Sequence, residues 1–522
     1  MRVLSLWLPD FKNLRDFRID FDSASSISVL VGRNGTGKSN VLEALTIIFR
    51  DLDLGDDPQF PYAVSYECRG RRIDVEATAE DEVIRRACRV NGKNVSLSTV
   101  VGPKGRRNRP SYVFGYYSGP SNRLEEHYAA HQERFYRDLV NGIERPLRPL
   151  FYARPVHSNF VLLAFFLDDD PAVQELLRDH LGIMELDSVL FVMQQPPWTS
   201  KGGDARFWNA RGTVRTLLDQ LYRRALAPLR LERRVSVGLG RAAARTEQLY
   251  LYLPTGNAVR HLAATYASHQ EFFKALESTY MSELISDVRI RVRVGESASM
   301  LTFRELSEGE QQLLLVLGLM RFTREDESLF LLDEPDTHLN PAWSLQYRDF
   351  LNGFGALDER SHVLMATHDP LVVGGLLKNE VRILERDPNG RSHAVEPWDN
   401  PRGMGVGSLL TSDVYGLRSQ LDLPTLRMLD EKRRLAARSD LSRQERDRLE
   451  ALNEQLDELG LLVEERDPEF QEFLRAKLFI EAEALPEVTL TRDEIAAQRE
   501  ESEHILRDML WEDADPSEGR LF

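Results

Sequence analysis

The chain has 522 residues, of which 42% are hydrophobic, and a formal net charge of −16 at pH 7. This length predicts about two to four compact units with a sizeable core. No stretch reaches the roughly 20 apolar residues of a membrane span, and the negative charge argues against indiscriminate wrapping of nucleic acid.

The beginning of the chain and its cysteines indicate a cellular compartment. The first residues, "MRVLSLWLPDFKNL", are not typical of a signal peptide, because the apolar run is short and an acidic residue interrupts it. Cys68 and Cys88 lack metal-ligand spacing and are expected to be reduced thiols in the core. We therefore expect a cytoplasmic protein without a membrane partner.

A phosphate-binding loop is predicted within "SVLVGRNGTGKSNVLEAL", residues 28–45. An apolar, β-branched run at 27–31 predicts a buried strand, and apolar residues recur at helical spacing over 41–48. Between them, the pattern G-x-x-x-x-G-K-[ST] is formed by Gly32, Arg33, Asn34, Gly35, Thr36, Gly37, Lys38 and Ser39. Backbone N–H groups and the helix N-terminus would bind phosphates, with Lys38 at the β- and γ-phosphates and Ser39 on Mg²⁺.

The middle of the chain predicts a compact domain rather than a rod. Residues 71–97 alternate as strands around an Asn91-Gly92 turn, which predicts an antiparallel sheet. The pattern over 120–235 is mostly helical, and a long helix is expected over 258–286 between strands 247–254 and 287–294. Because we find no sustained heptads, we expect a compact, mainly helical insertion.

Positive charge is concentrated locally. The segment 221–245 carries seven arginines and one glutamate, whereas 491–522 carries ten acidic and four basic residues. The first segment is as consistent with a nucleic-acid contact as with a solvated surface, since no aromatic residues interleave with its arginines. In "RIRVRV", residues 289–294, arginines on one face of a strand favour the solvated alternative.

Two acidic residues end a second apolar strand. In "ESLFLLDEPDTHLNP", residues 327–341, the run 329–332 leads into Asp333 and Glu334. Ligands bind at the carboxyl edge of parallel sheets, so Asp333 is expected in the Mg²⁺ shell and Glu334 beside the attacking water. A third apolar strand in "HVLMATHDP" ends before His368, where a sensor of the γ-phosphate would be needed.

A helix is predicted to begin in "LSEGEQQLLLVLGLM", residues 306–320. Ser307 has the character of an N-cap, and Glu310 three residues later completes a capping box. The leucine-rich run that follows predicts a buried helix, whose first N–H groups point at an anion.

These motifs resemble the ABC-type ATPase head of the SMC, RecF and OLD class. On this resemblance Gly32–Ser39 is Walker A, 306–311 the signature and 329–334 Walker B, while 336–340 is the D-loop and His368 the switch. The signature has "LSEGE" where many members have "LSGGQ", and Asn340 replaces the usual D-loop aspartate. Gln194 and Gln195 are candidates for the Q-loop.

The resemblance implies a homodimer or higher oligomer in which ATP bridges two heads. Ser307, Glu308, Gly309 and Asn340 would contact an ATP held by Lys38 of the partner subunit, and Glu334 and His368 would be catalytic. The cofactors implied are ATP and Mg²⁺.

The C-terminal region predicts helices. Residues 425–460 have the pattern of two helices joined near Ser442, with leucines that could pack on the chain itself or on a partner; they are Leu435, Leu441, Leu449, Leu452, Leu456 and Leu459. The D-x-D string in "EDADP", 512–516, follows no strand, so the Toprim nuclease domain of OLD-family proteins is not predicted. Residues 408–460 resemble PtuA-type ATPases of Septu and related retron anti-phage systems. That family implies a regulatory ATPase, slow in turnover, which controls a separate HNH nuclease, PtuB.

The predicted fold class is α/β, an ABC-type ATPase head of mixed sheet plus antiparallel sheet. Its expected parts are an N-terminal lobe (1–115), a mainly helical insertion (116–245), a C-terminal lobe (246–410) and a helical, acidic tail (411–522). The alternative function is a RecF-like repair clamp that binds DNA through 221–245.

Overall fold

The computed structural model describes residues 1–80, 83–143, 148–198, 202–235, 244–295, 300–322, 327–354, 360–438, 440–461 and 489–512. The strands are β1 (Arg2–Phe11), β2 (Leu14–Asp20), β3 (Ile27–Gly32), β4 (Tyr62–Cys68), β5 (Arg71–Glu80), β6 (Val83–Val90), β7 (Lys93–Val95), β8 (Tyr112–Tyr117), β9 (Leu150–Tyr152), β10 (Ile183–Gln194), β11 (Leu229–Val235), β12 (Ala244–Leu253), β13 (Ile285–Val294), β14 (Met300–Thr302), β15 (Ser328–Asp333), β16 (Ser361–Ala366), β17 (Val381–Arg386) and β18 (Ser392–Val395). The helices are α1 (Lys38–Leu54), α2 (Ala129–Val140), α3 (Val156–Phe165), α4 (Pro171–Glu175), α5 (Gly212–Arg224), α6 (Gly256–Ala263), α7 (His269–Met281), α8 (Glu308–Phe322), α9 (Pro341–Gly353), α10 (Pro370–Val373), α11 (Gly405–Thr411), α12 (Leu423–Ala436), α13 (Arg443–Glu458) and α14 (Arg492–Glu512). Among the described residues, none of these helices is long and apolar enough to cross a bilayer.

A seven-stranded sheet in the order β18-β17-β3-β16-β15-β8-β9 positions the predicted motifs. Strands β17, β3, β16, β15, β8 and β9 run parallel, and only β18 pairs in the antiparallel sense. The predicted strands at 27–31 and 329–332 are confirmed as β3 and β15, whose continuous apolar runs are buried because helices cover both faces of a parallel sheet. The carboxyl ends of β3, β8, β15 and β16 therefore meet at one edge.

A six-stranded antiparallel sheet, β2-β1-β4-β5-β6-β7, packs against the first sheet through helix α1. Buried side chains of α1, of β1 to β6 and of β3, β15 and β16 form one hydrophobic core. The predicted Asn91-Gly92 turn is confirmed: both residues have positive φ, 49° and 74°, as a tight hairpin between β6 and β7 requires.

A third sheet, β11-β12-β10-β13-β14, is antiparallel throughout. Helices α5, α6 and α7 pack on it, and α3 packs between α7 and α8. The α/β class with a mixed sheet and antiparallel sheets is thus confirmed.

Two elements differ from the sequence prediction. Strand β10 crosses the region 120–235 that was predicted to be mostly helical, so the insertion 116–245 mixes helices α2 to α5 with strands. Its run "SVLFVM" lies in the middle of a sheet and is apolar at consecutive positions, so it lacks the alternation that predicts a strand. The single helix predicted over 258–286 is two helices, α6 and α7, because the Ser268 side chain caps α7 at Glu271 N–H.

The C-terminal residues form a second compact unit that begins at Pro397 instead of at 411. Helices α12 and α13 pair as predicted, and Ser442 and Glu445 form a capping box at the start of α13. Leu452 and Leu456 are buried within this unit, whereas Leu459 is exposed, so part of the predicted leucine stripe packs on its own chain. The D-x-D string at 512–516 lies largely outside the described residues.

Candidate functional site

The loop between β3 and α1 has backbone conformations that require glycine. Gly32, Gly35 and Gly37 have φ of 146°, 80° and 107°. A Cβ on Gly32 would lie 2.3 Å from the Leu384 carbonyl oxygen, and a Cβ on Gly37 would lie 2.5 Å from Leu14 Cδ2. Side chains at these positions would therefore clash as well as strain the backbone. The loop is shaped so that its N–H groups can surround an anion at the start of α1.

Two residues that the sequence analysis did not identify hold the tip of this loop. Asn13 Nδ2 donates to the Gly35 carbonyl oxygen at 2.7 Å, and Arg386 Nη2 donates to the same oxygen at 2.5 Å. Asn40 Nδ2 in turn donates to Asn13 Oδ1 at 2.6 Å. Asn13 lies in the "FKNL" turn between β1 and β2, which the sequence analysis used only as part of the opening segment.

Lys38 is buried beneath the loop. Its Nζ donates to the carbonyl oxygens of Gly32 at 2.7 Å and of Arg33 at 3.4 Å. Burial lowers the pKa of Lys38 to about 8, although Glu334 and Asp333 act in the opposite direction. The charge of this amine is therefore sensitive to pH a little above neutrality.

We expect ATP to bind more weakly as the pH rises above about 8. A bound triphosphate favours protonated Lys38 and raises its pKa, so binding above pH 8 requires proton uptake and weakens by up to about tenfold per pH unit. Titration of a fluorescent ATP analogue between about pH 7 and 9.5 measures this. The control is Lys38→Arg, whose guanidinium stays charged. An affinity that is independent of pH in the wild type would contradict the expectation.

Ser39 and Asp333 lie together at the predicted Mg²⁺ position. The Ser39 hydroxyl hydrogen-bonds the Asp333 carboxylate, and burial raises the pKa of Asp333. A hydroxyl and a buried carboxylate are hard oxygen donors of the kind that Mg²⁺ prefers, with phosphate oxygens and water completing its shell. These residues fit the ion that the sequence predicts.

Glu334 and His368 are in contact. His368 Nε2 lies 2.8 Å from Glu334 Oε1, and burial together with Lys38 lowers the pKa of His368, so the neutral ring donates to the carboxylate. Glu334 has φ of 54°, unusual for a residue with a side chain, and its N–H donates to the Ala366 carbonyl oxygen at 2.8 Å. This turn aims the carboxylate past the end of β15 toward the end of β16.

Arg123 is a third residue that the sequence analysis missed. Its Nη2 lies 3.5 Å from Asp333 Oδ2, and its guanidinium lies over the Tyr117 ring at 5.6 Å. The segment that follows β8 is anchored at this edge by the Ser118 N–H, which donates to the Asp333 carbonyl oxygen. Arg123 partly neutralises the buried carboxylate.

Replacing Arg123 with Ala is expected to lower the Mg²⁺ concentration for half-maximal ATP binding by about two- to fivefold, because a half-exposed ion pair of this kind contributes up to about 1 kcal/mol. Titration of Mg²⁺ at fixed nucleotide-analogue concentration measures the change. Arg123→Lys keeps the charge and is the matched control. A higher Mg²⁺ requirement in Arg123→Ala would show instead that Arg123 assists binding.

The start of α8 has the predicted capping box. Glu310 N–H donates to Ser307 Oγ at 3.2 Å, and Ser307 N–H donates to Glu310 Oε2 at 2.6 Å. Gly309 packs so tightly on the segment after β15 that a Cβ would lie 2.3 Å from the His338 carbonyl oxygen. Ser307 and Glu308 are exposed. The helix N-terminus is thus fixed to the 334–340 segment while its first residues face outward.

The 336–340 segment is also tied to the end of β16. Thr367 Oγ1 donates to Asp336 Oδ2, and burial raises the pKa of Asp336 to about 7. Asn340 Oδ1 accepts from Trp343 N–H at 3.0 Å and caps α9. Its predicted contact with ATP remains a prediction.

Gln194 and Gln195 do not lie at this edge. Gln194 ends β10 in the five-stranded sheet, and Gln195 N–H donates to the Glu247 carbonyl oxygen of β12. They were candidates only because of their residue type, and the topology places them on another sheet.

Comparison with protein families finds two matches. An "AAA ATPase domain" matches residues 1–90, and "AAA domain, putative AbiEii toxin, Type IV TA system" matches residues 209–374. The first range contains the predicted phosphate loop, and the second contains the residues predicted to be the signature, Walker B and the switch. The chain is also 28% identical over 189 residues to the Septu protein PtuA of Bacillus mycoides (strain KBAB4), covering 33% of this chain and 26% of that protein. The match thus spans about a quarter of the relative's length.

Solved structures with low similarity include an SMC head bound to the C-terminal winged-helix domain of ScpA, at 12% identity and a TM-score of 0.32, covering 76% of this chain and 97% of that one. The ATP-bound recombination mediator RecF has 14% identity and a TM-score of 0.26, covering 70% of this chain and 92% of that one.

Proposed function

We propose that this chain, which carries an ABC-type ATPase head of the SMC and RecF class, binds and hydrolyses ATP between two heads and thereby controls a nuclease partner in anti-phage defence. The observation that carries the proposal is that Lys38, Asp333, Glu334 and His368 lie together at one edge of the sheet. These residues come from three separate parts of the sequence. The match to the Septu protein PtuA supports the defence role.

The residues at this edge can divide the work of hydrolysis. The loop 32–39 and Lys38 would bind the phosphates, and Mg²⁺, when bound at Ser39 and Asp333, would neutralise charge on them. Glu334 would accept a proton from the attacking water, and His368 would contact the γ-phosphate. His368 donates to Glu334, so a phosphate that engages His368 would free the carboxylate for water.

A second head would complete this site. The exposed start of α8 presents backbone N–H groups that lack helical partners, and these favour an anion. Ser307, Glu308 and Gly309 would contact the γ-phosphate of ATP bound by the partner head. ATP would hold two heads together, and hydrolysis would release them.

The nuclease partner is proposed from the PtuA-type resemblance of 408–460 and from the identity with the Septu protein. An HNH nuclease of the PtuB type would dock on the chain, and the nucleotide state of the heads would restrain or release it.

The experiment is a pull-down of the tagged full chain co-expressed with its native neighbouring genes, with mass spectrometry of what it retains. A stoichiometric HNH nuclease would support the proposal. Recovery of the chain without a nuclease would contradict it and favour the RecF-like clamp. Lys38→Ala provides the control for whether retention depends on nucleotide.

A further inference from the structure

Among the described residues, helices pack on one face of the five-stranded sheet, and the opposite face, called the open face below, is exposed along β13 but buried at Ser188 and Val192 of β10. Helices α5, α6 and α7 pack on the sheet, and the alternate side chains of β12 that face them, Leu249, Leu251 and Leu253, are fully buried. The residues between these leucines, Tyr250 and Tyr252, lie on the opposite face of the sheet. On β13 this opposite face carries the exposed side chains Arg289, Arg291 and Arg293.

The arginines form a row along β13. Because alternate residues of a strand are about 6.6 Å apart, the three guanidinium groups can follow an extended chain of negative charges. Arg289 pairs with Asp287 at 2.9 Å, and Arg293 pairs with Glu185. Among the described residues, Arg291 has no ion-pair partner and keeps its full charge for a ligand.

Aromatic and apolar side chains lie beside this row. The strand register places Leu190 of β10 between Arg289 and Tyr252, so the arginine and tyrosine rows are two strand spacings, about 10 Å, apart. Tyr250 and Tyr252 are half-buried, and Leu229 of β11, which pairs with Tyr250, is 51% exposed. The face therefore combines a line of cations with a parallel strip of flat and apolar groups.

The described part of the basic segment 221–245, which leaves out 236–243, lies mostly elsewhere. Arg223 on α5 pairs with Asp219 at 2.8 Å. Arg230 of β11 pairs with Glu247 at 3.0 Å, on the face of the sheet that the helices cover. Arg233 joins the open face, since it pairs with Thr246 in register with Leu229 and Leu231. The open face thus depends mainly on β13, where the sequence favoured a solvated surface.

We propose that this open face binds single-stranded nucleic acid, with phosphates along Arg289, Arg291 and Arg293 and bases against Tyr250 and Tyr252. A row of cations beside aromatic rings matches the two chemical features of a single strand, a regular polyanion and unpaired π-faces. A duplex would use the arginines and leave the tyrosines without a role. The site is separate from the ATPase edge, so its test does not depend on ATP hydrolysis.

The first experiment measures fluorescence anisotropy of labelled oligo(dT), about 15 nucleotides long, with the full chain at low salt. Arg291→Glu is expected to weaken binding at least about tenfold and to reduce the slope of log Kd against log salt by about 0.7, the contribution of one phosphate contact to a single strand. Arg245→Glu is the matched control. Arg245 lies on the same sheet and is 72% exposed, but its side chain belongs to the opposite face. Arg291→Ala replaces Arg291→Glu if thermal unfolding shows that the latter is misfolded.

The second experiment tests stacking. Tyr252→Leu keeps an apolar side chain and is expected to weaken oligo(dT) binding about tenfold, whereas Tyr252→Phe keeps the ring and should bind as the wild type does. ATP turnover should be unchanged in all these variants, since none contacts the phosphate loop.

Three results would overturn the proposal. They are no binding of oligo(dT) by the wild type at low salt, equal weakening by Arg291→Glu and Arg245→Glu, and wild-type affinity in Tyr252→Leu. A competition experiment adds a fourth such result. If polyglutamate displaces the labelled strand as effectively as unlabelled oligo(dT), the face binds acidic protein segments, and the proposal is overturned.

Discussion

Replacing Glu334 with Gln is expected to reduce ATP turnover by about 10²- to 10⁴-fold, because the amide cannot accept a proton from water. ATP binding should persist, since the phosphates are held by the loop 32–39 and Lys38. The glutamine Oε1 can still accept the hydrogen bond from His368 Nε2, which spans 2.8 Å in the wild type. The substitution therefore removes the base and keeps the geometry of the turn.

The measurement combines phosphate release with the molar mass of the chain in ATP and Mg²⁺, by light scattering. The proposed dimer predicts that Glu334→Gln remains associated in ATP after the wild type has dissociated. Glu76→Gln, on the exposed side of the six-stranded sheet, makes the same chemical change away from the site. Wild-type turnover in Glu334→Gln would eliminate Glu334 as the base, and loss of ATP binding would assign it a structural role.

The parts of the site that could be predicted are those determined by neighbouring residues. The apolar run before Gly32 predicts a buried strand, and the strained φ values of the loop require the glycines that the pattern contains. Ser307 and Glu310 are three residues apart, so the capping box follows from the sequence alone.

The parts that could not be predicted depend on which strand ends are adjacent. Arg123 reaches Asp333 because β8 and β15 pair in parallel, which no local pattern around Arg123 indicates. Arg386 reaches the Gly35 carbonyl oxygen because β17 lies beside β3. The open face of the third sheet was missed for the same reason: its arginines and tyrosines are on strands that pair through β10, which the sequence analysis did not predict.

Replacing Gly309 with Ala is expected to lower ATP turnover on the order of 10²-fold with little change in ATP binding. The new Cβ would lie 2.3 Å from the His338 carbonyl oxygen, a backbone atom that cannot move aside as a flexible side chain would. The start of α8 would have to shift relative to the 334–340 segment, at a cost of about 1–3 kcal/mol in stability. A displacement of about 1 Å in a group that must meet the γ-phosphate lowers the rate on the order of 10²-fold.

Two variants separate this effect from a general loss of stability. Gly353→Ala makes the same change at the end of α9, where a Cβ has no atom within 4 Å, and should leave turnover and unfolding temperature nearly unchanged. Ser307→Ala removes the N-cap of α8 at a cost of about 1 kcal/mol but keeps Gly309, so turnover should fall by less than in Gly309→Ala. Turnover and nucleotide-analogue binding are measured on all three. If Gly309→Ala hydrolyses ATP at the wild-type rate, the start of α8 does not act on the phosphate, and the proposed head-to-head arrangement is wrong.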